Sequence, residues 1–226
     1  MTTSINDQEA KKYIDDAFEK LSQVTSIYGI TQLIDEVSMR KNRMNDDVYP
    51  ALNFGVSKAE IDELMASKIL DDDHAFSKKI NDRLTDPLTK LLYATAWKNG
   101  DLPKIKHIIK GILKEEDESN EKKAIVFHQF GRYLTRTPGQ PIIDQHVIRA
   151  FGIFKPHDGK KEWNVAEMRR LSVVDKKHNG IIAAYKTWLA SDGLSNELRQ
   201  CENYTYHVDK LLFALGKTVK YAKNKA

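Results

Sequence analysis

Hydrophobic positions recur with the period of an α-helix along most of this chain. A stripe from Ile105 to Ile112 occupies positions i, i+3, i+4 and i+7, and a stripe from Leu88 to Thr95 repeats that spacing. No segment shows the alternation of apolar and polar residues that a half-buried strand needs. The pattern therefore predicts an all-α protein of about nine or ten helices.

Capping residues predict where several of these helices begin. Ser57–Glu60 and Asn6–Glu9 have the spacing of a capping box, and Asp86 followed by Pro87 is a favourable helix start. Gly100 is suited to end that helix. The last ten residues carry lysines at near-helical spacing and are expected to extend the final helix. Loops are expected in four segments rich in Gly, Pro, Asn or Asp, namely 42–56, 135–143, 155–164 and 191–204.

Length and charge bear on domain organisation. The 226 residues suffice for one core and no segment resembles a linker, so we expect a single helical domain over residues 1–226. Residues 1–120 hold 17 Lys+Arg against 22 Asp+Glu, whereas residues 121–226 hold 19 against 10. This asymmetry suggests an acidic N-terminal lobe, 1–100, and a basic lobe, 101–226. A basic lobe is typical of a surface that meets phosphates, although many such lobes bind no nucleic acid.

Composition excludes several classes of protein. The chain is 41% hydrophobic and 30% charged, and no apolar run approaches the roughly 18 residues of a membrane helix. The segment Met1–Glu9 lacks the basic start and apolar stretch of a secretory signal, so a cytoplasmic location is expected. Cys201 is the only cysteine, which excludes an intramolecular disulfide, a four-cysteine iron–sulfur cluster and a cysteine-rich zinc site. We therefore expect no metal and no other cofactor, and the oligomeric state is left open.

The segment Pro141–Phe151 places one carboxylate at the start of a short, basic, apolar-faced helix. Two β-branched residues after Pro141 favour an extended approach, and Asp144 is a favoured N-cap, so the helix is expected to begin at Gln145. At the positive end of the helix dipole, the carboxylate is expected to stay ionised even if partly buried. A fixed, ionised carboxylate suits a reaction that develops positive charge on a sugar. The alternative is that Asp144 is only a helix cap.

Residues Ile143–Arg149 resemble the Val-Asp-Thr-His-Val-x-Arg signature of the helix-hairpin-helix DNA glycosylase superfamily, which includes 8-oxoguanine glycosylase-like proteins. The resemblance implies a two-lobed all-α fold in which Asp144 is catalytic. It also implies that a helix at 122–134 is the second helix of the hairpin and that a helix at 204–216 closes the fold. Family hairpins carry a Gly-x-Gly turn that grips a DNA phosphate. Here no glycine lies between residues 111 and 131, and four consecutive acids occupy 115–118, so the hairpin is degenerate.

The resemblance also implies a nucleophile. In bifunctional members of the family, a lysine in the first turn of the second hairpin helix attacks the sugar carbon. Lys123 precedes Asp144 by 21 residues and Lys122 precedes it by 22, slightly more than the family spacing, and the loop 135–141 is long enough to hold the excess. Lys123 or Lys122 would then support abasic-site lyase activity. The alternative is that both lysines belong to a solvated helix start.

Several basic and aromatic residues are candidates for nucleic-acid contacts. The loop Lys155–Trp163 mixes lysines with a tryptophan, a composition that is used to hold a backbone and stack a base. Arg132 and Arg136 follow His128 on one helical face. Alternatively, Trp163 anchors its loop to the core and the polar face is solvated. The helix that follows Asp144 adds His146 and Arg149. The candidates for nucleic-acid binding are therefore Arg132, Arg136, His146, Arg149, Lys155, Lys160, Lys161 and Trp163.

An enzyme that acts on a base must flip it into a pocket lined with aromatic or apolar groups. Related families place base-contacting residues in their last helices, so the resemblance implies such residues here. Phe127 also fits a core position, and Trp97 and Trp188 are expected in the core because their helices are strongly apolar. The candidate base pocket comprises Phe127, His128, Tyr204, Tyr206, His207 and Phe213.

These features together predict a helix-hairpin-helix glycosylase-like protein that binds duplex DNA and excises a damaged or modified base. Asp144 would stabilise the sugar cation, and water or one of the two lysines would be the nucleophile. A non-catalytic nucleic-acid-binding or interaction protein on the same fold is the alternative. A helical scaffold with no nucleic-acid role would leave the basic lobe without a partner.

Overall fold

A computed structural model describes residues 5–37, 40–116, 124–156, 162–191 and 193–221. Within these ranges all regular structure is helical, with eleven α-helices, four short 3-10 helices and no β-strand, which confirms the all-α prediction. None of the described helices is both long and apolar enough to cross a membrane. The α-helices are α1 (Asp7–Ser22), α2 (Ile27–Val37), α3 (Lys58–Ala66), α4 (Pro87–Lys98), α5 (Ile105–Leu113), α6 (Ala124–Leu134), α7 (Gln145–Phe154), α8 (Val165–Arg170), α9 (Asn179–Leu189), α10 (Asn196–Gln200) and α11 (Tyr204–Thr218). The 3-10 helices are Arg40–Asn42, Ile80–Arg83, Leu102–Lys104 and Lys176–His178.

The predicted capping residues begin their helices as expected. Asn6 Oδ1 accepts a hydrogen bond from the Glu9 amide at 2.9 Å, and the Glu9 carboxylate accepts one from the Asn6 amide at 2.7 Å. Ser57 and Glu60 make the same reciprocal pair at the start of α3. The carboxylate of Asp86 accepts the amide three residues further on at 2.7 Å, which starts α4. Local hydrogen bonds of this kind satisfy the free amides of a first turn.

Two helix boundaries differ from the prediction. The expected loop 191–204 contains the five-residue helix α10, in which Ser195 Oγ accepts the Leu198 amide at 3.1 Å and Leu198 is fully buried. Five residues are too few to show a helical period in the sequence. The final helix is not extended as predicted, because α11 ends at Thr218 and the chain turns at the buried Val219. The end of the lysine-bearing tail lies outside the described residues.

The chain forms two compact units. One consists of residues 1–51 and 138–226, and the other of residues 52–137. These limits differ from the division after residue 100 that the charge pattern suggests, because units are defined by which helices pack together and charge is a property of the surface. Helices α1, α2 and α7–α11 belong to the first unit, and α3–α6 belong to the second.

Helix α7 is central to the first unit, and its residues from His146 to Ile153 are all buried. It packs against α1, α8, α9 and, most extensively, α11. At Gly216 on α11, a Cβ atom would lie 1.9 Å from the His146 carbonyl oxygen. Only glycine therefore allows α11 to approach α7 so closely. Trp188 is 4% exposed and packs with Phe18, which confirms the prediction that Trp188 belongs to the core.

In the second unit, α5 and α6 pack closely against each other. A Cβ atom at Gly111 would lie 2.0 Å from the His128 carbonyl oxygen, so the two helix backbones are in contact. Ile109 and Ile112 are buried, as the apolar stripe on α5 predicts. The degenerate hairpin turn between these helices falls largely at residues 117–123, which lie outside the described residues.

The prediction that Trp97 is a core residue is wrong. Trp97 is 67% exposed, and Leu91 on the same helix is also 67% exposed. None of the residues of α4 is buried. The apolar period correctly predicted the helix, but a period shows only that a helix has an apolar face and not that another element covers it.

Candidate functional site

Asp144 is the N-cap of α7, as the sequence predicts. Its Oδ1 atom accepts hydrogen bonds from the backbone amides of His146 at 2.6 Å and Val147 at 2.9 Å. Within the described part of the chain, Oδ2 of Asp144 accepts no hydrogen bond. One carboxylate oxygen is therefore fixed by the start of the helix, and the other has its acceptor capacity unused by the described residues.

A second carboxylate, Asp209 on α11, holds the loop that leads to Asp144. Asp209 Oδ2 accepts the Ile142 amide at 2.6 Å, and Oδ1 accepts the Tyr185 hydroxyl at 2.7 Å. Asp209 is only 2% exposed. Asp209 was not among the residues predicted for the site, although Val208, Leu211 and Leu212 near it indicate a buried helix. A buried carboxylate is rare unless it is hydrogen-bonded, so an aspartate in such a helix is a recognisable signal.

Both carboxylates line one pocket of about 340 Å³. The loop after the 3-10 helix Arg40–Asn42, the start of α7 and the middle of α11 form its walls. Aromatic side chains and carboxyl groups therefore face the same space, an arrangement that suits a small, largely apolar ligand with a few polar atoms. The lining residues are Met44, Tyr49, Ile142, Asp144, Gln145, His146, Val147, Asp209 and Phe213.

Burial dominates the electrostatics of the pocket. It raises the pKa of Asp144 above the ordinary value, against the opposing effects of the two cap hydrogen bonds and the Arg149 charge. Burial also raises the pKa of Asp209 well above the ordinary value, and the nearby Asp144 charge adds to that rise despite the two hydrogen bonds. At Asp144 burial thus outweighs the cap hydrogen bonds, and the expectation that this group stays ionised remains a prediction. Both carboxyls bind protons more readily than ordinary aspartates do.

The side chain of Arg149 is fully buried, which contradicts the prediction that it contacts nucleic acid. Its guanidinium donates to His146 Nδ1 at 2.6 Å, to the Gly216 carbonyl oxygen at 2.9 Å and to the Leu171 carbonyl oxygen. Burial lowers the pKa of Arg149 to about 10, partly offset by the Asp144 charge. Arg149 thus ties α7 to α11 and to the segment after α8.

His146 is also unsuited to the nucleic-acid contact predicted for it, since it is only 9% exposed and packs edge-on against Phe213. Burial, followed by the Arg149 charge and then those of Lys220 and Lys217, lowers the pKa of His146 to about 4. Because a guanidinium has only donors, Nδ1 of His146 must accept and the ring proton lies on Nε2. His146 is therefore a neutral, hydrogen-bonded wall of the pocket.

The loop after α7 does not present its tryptophan to a ligand. Trp163 is 3% exposed and stacks on His178 with ring centroids 5.0 Å apart, so the predicted base contact is wrong and the alternative, an anchor to the core, is correct. Lys155 is exposed, as a phosphate contact would require. Lys160 and Lys161 lie outside the described residues.

Of the base-pocket candidates on α11, only Phe213 lines the Asp144 pocket. Tyr204 is buried and its hydroxyl donates to the Leu189 carbonyl oxygen at 3.3 Å. Tyr206 is also buried and its hydroxyl donates to the Tyr49 carbonyl oxygen at 3.3 Å, behind one wall of the pocket. His207 is half-buried and lies against Tyr206. The helix was identified correctly, but three of its four candidate side chains, Tyr204, Tyr206 and His207, do not line the pocket.

The remaining candidates belong to the second unit. Arg136 donates to the carbonyl oxygens of Phe54, at 2.9 Å, and Leu52, so its guanidinium holds its own unit together and the predicted phosphate contact is not supported. His128 Nε2 lies 2.9 Å from the Glu115 carbonyl oxygen. Arg132 and Phe127 are half-buried. The proposed nucleophiles Lys122 and Lys123 lie outside the described residues.

No group of three or more His, Cys, Asp or Glu that could hold a metal ion occurs among the described residues. Comparisons with protein-family models, curated proteins and solved structures found no match to this chain. The pocket at Asp144 and the charges around it are therefore the features that bear on function.

Proposed function

We propose that this protein binds duplex DNA and excises a damaged or modified base, with Asp144 as the catalytic carboxylate. The observation that carries the proposal is the free Oδ2 atom of Asp144 in a pocket with aromatic walls. The pocket of about 340 Å³ lies within the usual size range of small-ligand sites and suits a base turned out of the stack. Tyr49 and Phe213 supply the aromatic surfaces that such a base needs.

The proposed reaction breaks the bond between the sugar C1′ and the base nitrogen. The bonding electron pair leaves with the base, and C1′ develops positive charge that the Asp144 carboxylate stabilises. Water then adds to C1′ and passes a proton to Asp144. That proton is then transferred through solvent to the departing base, so the base leaves neutral and the Asp144 carboxylate is regenerated. Burial raises the pKa of Asp144, which makes its carboxylate a better acceptor for that proton. In this proposal Lys123 or Lys122 replaces water where abasic-site cleavage accompanies excision.

Charge supports DNA as the partner. Residues 121–226 carry 19 Lys+Arg against 10 Asp+Glu, and exposed Lys155 follows the helix that Asp144 caps. Binding to duplex DNA should therefore weaken steeply with added salt, because neutralised phosphates release counterions. The finer fold assignment, a two-lobed helix-hairpin-helix glycosylase-like architecture with a degenerate hairpin, is part of the same proposal.

The decisive experiment is the Asp144→Asn substitution. Asparagine is as good an N-cap as aspartate, so the helix start is kept while the charge and the proton-accepting oxygen are lost. Single-turnover base release from duplexes that each carry one uracil, hypoxanthine or 8-oxoguanine should fall by at least about 10²-fold, while DNA affinity is kept. Asp86→Asn is the matched control, because it changes an exposed capping aspartate on α4 and should leave base release unchanged.

The alternative of a non-catalytic nucleic-acid-binding protein is favoured by one observation, since Asp144 makes both hydrogen bonds of an ordinary helix cap. If the wild-type protein releases no base from any duplex and Asp144→Asn alters only the melting temperature, this alternative is correct.

For the lyase activity, borohydride trapping on an abasic duplex should depend on Lys123 or Lys122. Trapping that survives Lys123→Gln combined with Lys122→Gln would exclude both as the nucleophile.

A further inference from the structure

A second cavity lies beside the Asp144 pocket in the first unit. It measures about 500 Å³ and is formed by the 3-10 helix Arg40–Asn42, the loop that follows and the end of α11. Met44 lines both cavities, so they are neighbours that share one wall. The residues that line the second cavity are Lys41, Arg43, Met44, Asn45, Asp46 and Lys217.

The second cavity carries an excess of positive charge. Arg43 is paired with Asp35 at 2.5 Å, and Asp46 is paired with Lys210 at 2.7 Å, so these charges offset each other. Lys41 and Lys217 have no carboxylate partner within the described residues. Two uncompensated ammonium groups therefore line one cavity, with the Arg43 guanidinium beside them.

Lys217 lies next to a residue of the Asp144 pocket. Lys217 follows Phe213 by one turn of α11, and its Nζ atom lies 5.5 Å from the centre of the Phe213 ring. Phe213 is a wall of the Asp144 pocket. The Lys217 charge also contributes to the lowered pKa of His146, which lines that pocket too. The Lys217 ammonium group therefore lies against a residue that lines the Asp144 pocket.

We propose that the cavity lined by Lys41, Arg43 and Lys217 is a phosphate subsite, which holds the phosphate of a nucleotide whose sugar and base lie in the Asp144 pocket. This inference rests on the proposed function for the ligand in that pocket. Ammonium and guanidinium donors form strong, charge-assisted hydrogen bonds with phosphate oxygens. The adjoining aromatic pocket favours a phosphate that is attached to a ring system. Such a phosphate occurs both in the backbone of DNA and in a free mononucleotide.

The test uses two kinds of probe on the full-length chain. Titration calorimetry compares the deoxynucleoside 5′-monophosphates with the matching nucleosides, which lack only the phosphate. Anisotropy measurements across a salt series use a duplex with one central abasic-site analogue. The test variant combines Lys41→Gln with Lys217→Gln. The control variant combines Lys90→Gln with Lys98→Gln, which removes the same charge from the exposed surface of α4. All variants are checked by thermal melting. Lys41, Lys90 and Lys98 are exposed and Lys217 is half-buried, so these substitutions should have little effect on stability.

The wild-type and control proteins should bind at least one phosphate-bearing probe, and the Lys41→Gln/Lys217→Gln variant should bind it about tenfold more weakly. For the duplex, affinity falls with salt, and the plot of log affinity against log salt should become less steep by roughly 0.9 for each lysine removed. Equal affinities of the test and control variants for both probes would overturn the proposal, as would a wild-type protein that binds neither. A third outcome is that the wild type binds mononucleotides but not the duplex, and that the test variant loses this binding. That result would support the subsite, identify a free nucleotide as its ligand and contradict the proposed function. Base release that depends on Asp144 but not on Lys41 and Lys217 supports the proposed function and overturns the subsite.

Discussion

Acidification is expected to destabilise this protein through one buried imidazole, that of His146. Its side chain is 9% exposed, accepts a hydrogen bond from Arg149 and lies near the charges of Lys217 and Lys220. Each of these features opposes protonation of the folded protein, and none of them persists in the unfolded chain. The informative perturbation is His146→Gln, because glutamine stays neutral at every pH and its side-chain oxygen is able to accept the Arg149 hydrogen bond.

The magnitude follows from the two pKa values. The pKa of His146 falls from 6.5 to about 4 on folding, so between these pH values the unfolded chain binds the proton and the folded protein does not. The stability that depends on neutral His146 is therefore fully present above pH 6.5 and is lost as the pH falls towards about 4. At 1.36 kcal/mol for each pH unit, the free energy of unfolding should fall by about 3 kcal/mol through this group. Little of this is screened by solvent, since the imidazole is nearly buried.

Urea unfolding of the wild type and His146→Gln at pH values from about 7.5 to about 4 measures this effect. The pKa values of His178 and His207 are also lowered, and those of Asp144 and Asp209 are raised, but these groups occur in both proteins and cancel in the difference between them. The free energy of unfolding of the wild type minus that of the variant should decrease by about 3 kcal/mol on acidification. A difference that stays constant with pH would refute the reasoning, because it would show that His146 titrates equally in the folded and unfolded states.

Two further substitutions test the packing of the helices. Gly111→Ala would place a Cβ 2.0 Å from the His128 carbonyl oxygen, so denaturant unfolding should show a loss of about 1–3 kcal/mol even though alanine favours a helix. Unchanged or increased stability would show that α5 and α6 do not meet at this point. Trp188→Ala should cost about 3–5 kcal/mol in thermal unfolding because Trp188 is buried, whereas Trp97→Ala should change stability by no more than about 0.5 kcal/mol. Equal losses at the two positions would contradict the exposure of α4.

The features that the sequence predicted correctly are local ones. The starts of the helices at Asn6, Ser57 and Asp144 follow from hydrogen bonds between a side chain and amides two or three residues away. Such bonds need no information about the rest of the fold, so spacing alone reveals them. The same holds for the apolar stripe on α5, whose period fixes the helix and the face that becomes buried.

The features that it did not predict depend on partners that are remote in the chain. Arg149 and Trp163 are residue types that often contact phosphates and bases, and both are buried here. The carbonyl group of Gly216 that accepts from Arg149 lies 67 residues later in the sequence. Trp97 shows the opposite case, because it was predicted to be buried in an apolar helix and is exposed. Burial is thus the property that composition and spacing determine least.

Asp209 shows how a long-range feature could still have been found and why it matters for the site. Asp209, Phe213 and Gly216 occupy positions i, i+4 and i+7 of α11 and so share the face that packs against α7. Because Asp209 binds the Ile142 amide, that face fixes the loop that carries Asp144 as well as one aromatic wall of the pocket. The same packing removes water from both carboxyls and raises their pKa values, against the cap hydrogen bonds that act in the opposite direction at Asp144. In the proposed function Asp144 accepts a proton, and its fixed orientation and raised pKa support that role, whereas an exposed cap such as Asp86 has neither the burial nor the raised pKa.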